Sequence, residues 1–283
     1  AFTAFDGGNF QPFLPLGIAG IGAAAGQVFF SYIGFDAAST AGEEAKNPKR
    51  DLPIAIIGSL IIVTIMYLLV TVAAIGANGG QPDDYEGQSG EAILASIANE
   101  VTGSTWAGTL IALGAVISIF SVVLVTMYGQ TRILFAMGRD GLLPKTFTKV
   151  NPRTQTPVNN TIIVTVIISI LAAFIPLGQL AEATSIGTLF AFMIVNAGVI
   201  SLRRSRPNMP RSFKTPLYPI TPILGVIGCL YLIASLAWIT WVVFFAWLAV
   251  GMIIYFTYGI KRSRLARGEA DDWTPDPEPP VVS

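Results

Sequence analysis

The sequence contains no histidine and a single cysteine, Cys229. These absences exclude a zinc site built from histidine and cysteine, a serine–histidine dyad and a disulfide within the chain. Cys229 lies in an apolar run, where we expect an inert, small core residue. We therefore predict no catalytic residue and no metal ligand, and a protein that is not an enzyme.

Charged residues are also scarce, at 12% of the chain, whereas soluble domains carry about 25%. Hydrophobic residues make up 53%, and the mean hydropathy is +0.64. This composition predicts an all-α integral membrane protein, a multi-span helical bundle whose partner is the lipid bilayer. The net charge of +0 indicates no nucleic-acid partner.

Apolar runs of about 20 residues, the length that crosses a bilayer, predict seven spans. They cover residues 16–45 (an interrupted span), 54–76, 105–137, 158–175, 182–202, 220–236 and 238–260. Residues 1–15 form an extracellular lead-in and residues 261–283 a cytoplasmic tail. The chain begins at Ala1, without an initiator methionine, and no basic region precedes its first apolar run, so we expect no signal peptide. We interpret the sequence as a piece of a longer protein.

The 17 basic residues are confined to segments that seven spans would place on one face. The opposite connections, including the acidic stretch 77–104, contain none. The positive-inside rule then predicts that the N-terminus lies outside the cell and the C-terminus in the cytoplasm of a plasma-membrane protein. The basic segments are 46–50, 132–153, 203–214 and 261–267.

The first span contains polar residues at a depth where lipid is expected. Between Ser31 and Asp36 the sequence reads S-Y-I-G-F-D, with a hydroxyl, a glycine and a carboxylate. An ionisable group at membrane depth indicates function by default, and interrupted spans supply backbone carbonyls to substrates in secondary transporters. A continuous helix whose Asp36 faces neighbouring helices is the alternative.

Seven spans are also the layout of retinal pumps and of seven-helix receptors. A retinal pump needs a lysine inside a span, and every lysine here lies in a loop or at a span end. A seven-helix receptor or membrane scaffold without transport remains the alternative function, although it leaves the interruption at 31–36 unexplained.

The third predicted span ends in Y-G-Q-T-R-I-L-F-A-M-G-R-D-G-L-L-P-K, residues 128–145. We expect Arg132 and Arg139 to extend their charged ends towards water and Gly141 to cap the helix, in preference to contacting a substrate.

Three motifs resemble the amino acid–polyamine–organocation permeases. Residues 30–53, F-S-Y-I-G-F-D-A-A-S-T-A-G-E-E-A-K-N-P-K-R-D-L-P, resemble the sixth span and following loop of that superfamily, and residues 128–145 resemble the end of its eighth span. Residues 185–216, from S-I-G-T-L-F to F-K-T-P, resemble the tenth span and loop of the cationic amino acid transporter branch.

The resemblance implies a LeuT-like fold, in which two five-helix repeats of inverted topology are followed by two additional helices. The chain would form the second repeat and the additional helices, spans six to twelve. The absent first five spans would be its partner, and they would contain the second interrupted helix, which holds the substrate carboxylate.

The resemblance also implies roles for individual residues. The segment Phe30, Ser31, Tyr32, Ile33 and Gly34 would bind the amino acid substrate, with backbone carbonyls receiving its ammonium group and Phe30 closing over it. Asp36 would take part in proton coupling. Ser121 lies near the position at which sodium-coupled relatives have a hydroxyl that helps to hold sodium. The loop residues predicted to form a salt-bridged gate are Glu43, Glu44, Lys46 and Arg50.

The function implied is amino acid transport by alternating access, with symport of a proton, or of sodium as the alternative coupling ion, and with no cofactor.

Overall fold

The computed structural model describes residues 5–14, 16–35, 47–78, 92–154, 156–208, 213–263 and 266–268. All regular secondary structure in these ranges is helical, which confirms the predicted all-α fold. The α-helices are α1 Gly17–Val28, α2 Pro48–Asn78, α3 Ile93–Thr102, α4 Thr105–Arg139, α5 Val158–Phe174, α6 Leu177–Ser205, α7 Ile220–Ala234 and α8 Trp238–Ile254.

Short helices of other types adjoin these elements. The 3₁₀-helices are Gly7–Phe10, Phe29–Tyr32 and Lys145–Thr148. Helix α8 continues through a π-helical turn, Tyr255–Gly259, into a final turn, Ile260–Arg262.

Among the described residues, four helical segments are long and apolar enough to cross a membrane: Pro48–Ala77, Thr105–Arg139, Leu177–Ser205 and Trp238–Arg262. Helices α5 and α7 are apolar but shorter, with 17 and 15 residues. At 1.5 Å per residue they extend about 26 and about 23 Å, somewhat less than the hydrocarbon core. The bounds of the lead-in, the seven spans and the tail stay predictions.

Two helices end in glycine caps. After α4, Gly141 adopts φ +80°, its amide donates to the carbonyl of Gly138, and the Leu142 amide donates to that of Met137. These two bonds form a Schellman motif, which satisfies carbonyls at the helix end. The predicted cap at Gly141 is thus confirmed, and Gly103 ends α3 in the same way, with φ +63°.

The chain divides into two compact units. The first contains Ala1–Thr126 and Leu177–Thr240, and the second contains Met127–Pro176 and Trp241–Ser283. In the first, α6 packs against α7 and buries Ile186, Leu189 and Ile233 at their contact.

The close approach of α6 and α7 depends on Gly225. A Cβ atom at this position would lie 2.7 Å from Oδ1 of Asn196 on α6. The amide of Asn196 in turn donates to the carbonyl of Phe192, 2.8 Å away, within its own helix. Small residues permit this kind of contact between membrane helices.

In the second unit, Asn160 at the start of α5 joins two other segments. Its side-chain amide is fully buried and donates to the carbonyls of Thr131 in α4 and Phe147 in the Lys145–Thr148 turn, at 3.3 and 3.0 Å. These bonds fix the loop after α4 to the start of α5.

Apolar side chains on the long helices are largely exposed. On α4, Ile117 and Phe120 expose 71% and 67% of their surface, and buried apolar side chains are few in the described ranges. Apolar helix faces of this extent require lipid or further protein to cover them. The exposure pattern agrees with an integral membrane protein.

Candidate substrate site at the helix interruption

Helix α1 stops inside the segment for which the sequence predicts an interruption. The α-helix ends at Val28, a 3₁₀ turn covers Phe29–Tyr32, and Ile33 is extended, with φ −63° and ψ 130°. Gly34 follows with φ +120°, a conformation that side-chain-bearing residues rarely adopt. The alternative of a continuous helix through 31–36 is therefore wrong at Ile33 and Gly34.

The interruption frees backbone groups that an α-helix would pair, and one of them is bonded from a neighbouring helix. The carbonyl of Phe30 accepts the Ile33 amide at 3.1 Å. The carbonyl of Ser31 accepts a hydrogen bond from the phenol of Tyr67 on α2, at 2.8 Å. Carbonyl oxygens at the end of a helix carry partial negative charge, which suits an ammonium group.

Aromatic rings surround the interruption. Tyr32 meets the ring of Tyr67 edge to face, with centroids 5.2 Å apart. Phe29, at the start of the turn, and Phe35, beyond its end, both contact Phe192 on α6, with centroids 6.2 and 5.6 Å away. The turn is therefore held between α2 and α6 by ring contacts, while Phe30 is 39% exposed.

The glycines of α1 place this helix against α7. A Cβ atom at Gly22 would lie 2.7 Å from Oγ of Ser235 and 2.8 Å from the phenol oxygen of Tyr231. One at Gly26 would lie 3.0 Å from Cδ2 of Leu236. The run of small residues before the interruption thus lets the helix that carries the site approach α7 closely.

Phe30, Ser31, Tyr32, Ile33 and Gly34 form one segment, as predicted from the sequence, but their binding roles stay predictions. Four further predicted residues, Asp36, Glu43, Glu44 and Lys46, lie outside the described residues.

Arg50 and Ser121 are described, and both are exposed, in the first turn of α2 and in the middle of α4. Within the described ranges, neither side chain hydrogen-bonds to residues 29–35. Their roles in a gate and in ion coupling also stay predictions.

Tyr67 and Phe192 were not predicted from the sequence. Tyr67 is the only aromatic residue between positions 54 and 76, and this isolation was the available signal. Phe192 gave no comparable signal, because its role depends on contacts with residues more than 150 positions away.

A carboxylate within α6 was also not predicted from the sequence. Glu182 accepts a hydrogen bond from the hydroxyl of Thr240, a residue that is 4% exposed. Ser185, one turn further along α6, is fully buried, and its hydroxyl has no hydrogen-bond partner among the described residues. Glu182 stood at the predicted boundary of a span, but the helix begins at Leu177, so the carboxylate lies inside it.

The fold and the site define a class: a helical integral membrane protein with an interrupted helix, a feature of secondary transporters. The sequence profile described as amino acid permease matches residues 1–254, and the chain belongs to this family.

Curated relatives agree with this assignment. The chain is 44% identical over 257 residues to the branched-chain amino acid permease BcaP of Bacillus subtilis (strain 168), covering 91% of this chain and 54% of the relative. It is 39% identical over 263 residues to the methylthioribose transporter of the same organism, again covering 91% of this chain and 54% of the relative.

A plant relative supports the resemblance to the cationic amino acid transporter branch. The chain is 39% identical over 196 residues to cationic amino acid transporter 4, vacuolar, of Arabidopsis thaliana, covering 69% of this chain and 32% of the relative. The chain spans about half the length of the two bacterial relatives.

Proposed function

We propose that the chain is part of an amino acid permease that moves its substrate by alternating access. The observation that carries the proposal is the interruption at Ile33–Gly34, where the helical backbone ends and Gly34 adopts φ +120°. A continuous helix has no carbonyls to offer in its middle, whereas this segment has them next to an exposed aromatic side chain, Phe30.

The substrate ammonium group binds the carbonyls of this segment, and its carboxylate binds elsewhere. The described part of the segment, residues 16–35, contains no basic side chain. A carboxylate left without a partner at membrane depth would cost several kcal/mol. The carboxylate site therefore lies in five further spans, which precede this chain in the complete transporter.

The aromatic surroundings favour a substrate with an apolar side chain. Phe29, Tyr32, Phe35, Tyr67 and Phe192 supply rings around the interruption, and none of these side chains is charged at neutral pH. The relative with 44% identity is named for branched-chain amino acids, which agrees with this chemistry. We propose leucine, isoleucine and valine as the first substrates to test.

Transport is coupled to a proton, with sodium as the alternative ion, and Asp36 is the proposed proton-coupling residue. The protein lies in the cell membrane, with the N-terminus of this chain outside and its C-terminus in the cytoplasm. The confinement of all 17 basic residues to four segments supports this orientation.

The test of transport is uptake of radiolabelled leucine by proteoliposomes that contain the complete transporter, comparing Gly34→Ala with Gly58→Ala. Both positions have open space for a Cβ atom, but only Gly34 has a positive φ. An alanine at Gly34 is strained by about 1–3 kcal/mol, so uptake should fall several-fold, while Gly58→Ala keeps it. Saturable binding without uptake in the unmodified protein would instead favour a receptor.

The division of the site between two halves has its own test. Leucine binding is measured by scintillation proximity in detergent, on the complete transporter and on residues 1–283 alone. The complete protein should bind and the chain alone should bind only weakly, well short of the micromolar range. Micromolar binding by the chain alone would show that its own residues complete the site.

Orientation is tested with an impermeant thiol reagent on intact cells, in a Cys229→Ser background. Ser89 lies in the acidic stretch 77–104, and Ser205 lies at the end of α6, within the basic segment 203–214. Each is replaced by cysteine in turn. The first should be labelled from outside and the second only after the cells are made permeable. The opposite pattern would reverse the orientation.

A further inference from the structure

The second compact unit contains a cavity of about 330 Å³ with an unusual lining. Five of its ten lining residues are basic, and among these described residues none is acidic. Thr148, Tyr258, Gly138, Gly141 and Leu143 complete the lining. The basic residues are Arg139, Lys145, Lys261, Arg262 and Arg267.

Local backbone geometry brings these charges together. The Schellman cap turns the chain after Arg139, and a Cβ atom at Gly141 would lie 3.0 Å from the backbone carbonyl carbon of Arg262. The end of α4 is therefore packed directly on the final turn of α8. The side-chain amide of Asn160 donates a hydrogen bond to the carbonyl of Phe147 and so fixes the Lys145–Thr148 turn to the start of α5.

Tyr258 orients one of the cations. Its phenol accepts a hydrogen bond from Nη1 of Arg262 at 3.1 Å, and the guanidinium carbon lies 4.5 Å from the ring centroid. This contact uses one face and one donor group of the guanidinium, which has five N–H donors in all. Tyr258 belongs to the π-helical turn, a feature that is frequent at functional sites.

Basic side chains outnumber carboxylates in the described part of this unit. Its described residues include eight basic side chains and one carboxylate, Asp140, which does not line the cavity. Cations held around one cavity repel each other, and arginine and lysine together are the usual ligands of phosphate groups.

The cavity also lies at the ends of membrane-length helices, where phospholipid headgroups are expected. Two membrane-length helical segments end at it, Thr105–Arg139 and Trp238–Arg262. Basic pockets between membrane helices bind anionic headgroups on the cytoplasmic side. A volume of about 330 Å³ falls at the lower end of the range for small-molecule pockets, which suits a headgroup.

We propose that this basic cavity binds the phosphate group of an anionic phospholipid headgroup. The site is separate from the helix interruption and does not depend on the proposed transport activity. Two other sources of anionic charge are distinguished by the test: inorganic phosphate, and the acidic residues that follow in the chain between positions 269 and 278.

The test is native mass spectrometry of the full chain in a non-ionic detergent, with phosphatidylglycerol or phosphatidylcholine added. Two double variants are compared. The cavity variant combines Arg139→Gln and Lys261→Gln, and the matched variant combines Lys149→Gln and Arg153→Gln. The matched pair removes the same charge from the same unit, but neither residue lines the cavity. The unmodified chain and the matched variant should retain phosphatidylglycerol in preference to phosphatidylcholine.

The cavity variant should bind phosphatidylglycerol about 30-fold more weakly. Each of the two charges removed should contribute roughly a fivefold loss of affinity. A charge-preserving variant, Arg139→Lys with Lys261→Arg, should stay within a few-fold of the unmodified chain. Unaltered melting in phosphatidylcholine shows that a variant is folded. An equal loss in the cavity and matched variants would overturn the proposal, because binding would then follow net charge alone.

Two further arms identify the source of the phosphate. Inorganic phosphate at the same phosphate concentration should not displace the lipid, and equal displacement would overturn the lipid assignment. Neutralising the five carboxylates between 269 and 278 by amide substitution should change lipid binding less than threefold. If lipid bound only after that neutralisation, the chain's own tail would be the occupant and the proposal would be wrong.

Discussion

The phenol of Tyr67 lies 2.8 Å from the backbone carbonyl of Ser31 and donates a hydrogen bond to it. This bond joins the middle of α2 to the end of the helical part of the first predicted span. It also leaves the carbonyl with a second lone pair, because a backbone oxygen accepts up to two hydrogen bonds. The arrangement can therefore hold the carbonyl in position while a ligand ammonium binds it.

Tyr67→Phe should weaken leucine uptake by raising KM. The substitution removes the phenol donor but keeps the ring against Tyr32, so the Ser31 carbonyl loses its orientation while the packing is retained. A net hydrogen bond contributes about 0.5–1.5 kcal/mol, which corresponds to a rise of roughly 2- to 12-fold. The KM for leucine is determined from the kinetics of uptake, with Tyr255→Phe as the control. A KM equal to or below that of the unmodified transporter would contradict this account.

Gly22→Val should destabilise the protein. A Cβ atom at this position already reaches Ser235 and Tyr231 on α7, and overpacking of this kind costs about 1–3 kcal/mol. We expect a lower melting temperature, by several degrees, in a thiol-reactive dye assay that uses Cys229 as the reporter.

The control for Gly22→Val is Gly114→Val, a glycine of α4 with open space around it. Its melting temperature should not fall by more than about a degree below the value for the unmodified protein, because valine has a slightly higher helix propensity than glycine. Equal destabilisation by both substitutions would show that the contact of Gly22 with Ser235 and Tyr231 does not set the effect.

Thr240→Val should also lower the melting temperature, while Thr240→Ser keeps it. The buried hydroxyl of Thr240 donates to the carboxylate of Glu182, and its removal leaves a partly buried carboxylate without this donor. The loss of a donor to a buried acceptor costs about 1–3 kcal/mol. Thermal unfolding in detergent tests it, and identical melting of the valine and serine variants would rule out a role for the hydroxyl.

Asp36→Asn in the complete transporter should keep leucine binding and flatten the pH dependence of uptake. The reason is chemical: the amide is similar in size to the carboxyl group but does not titrate. Uptake measured across the acidic to neutral range, with Asp51→Asn at the exposed start of α2 as the control, tests this role. If the pH profile keeps its shape, Asp36 serves at most as a helix cap.

The helices and the interruption were accessible from the sequence because both are local properties. Apolar runs determine where helices form, and the glycine at position 34 marks a conformation that only glycine adopts readily. The cap at Gly141 was likewise readable, since R-D-G after an apolar run is a local signal.

The contacts that complete the site could not be read in the same way. Tyr67 reaches Ser31 across 36 positions, and Phe192 meets Phe29 from another helix, so both depend on how helices pack. Glu182 was overlooked for a different reason: the apolar pattern begins after it, whereas the helix starts five residues earlier, at Leu177. The basic residues of the cavity were interpreted as topology signals and, for Arg139, as a charged end extended towards water. Their convergence on one cavity could not be predicted, because it depends on the turn after α4.

The π-helical turn Tyr255–Gly259 makes the end of α8 sensitive to chain length. A π-helical turn contains about one residue more than an α-helical turn, so each later residue is displaced in register along the helix. Deleting one residue here would restore an ordinary helix but rotate everything after it by about 100°. Arg262 would then leave the surface of Gly141, so this part of the chain should accept many substitutions but not a single-residue insertion or deletion.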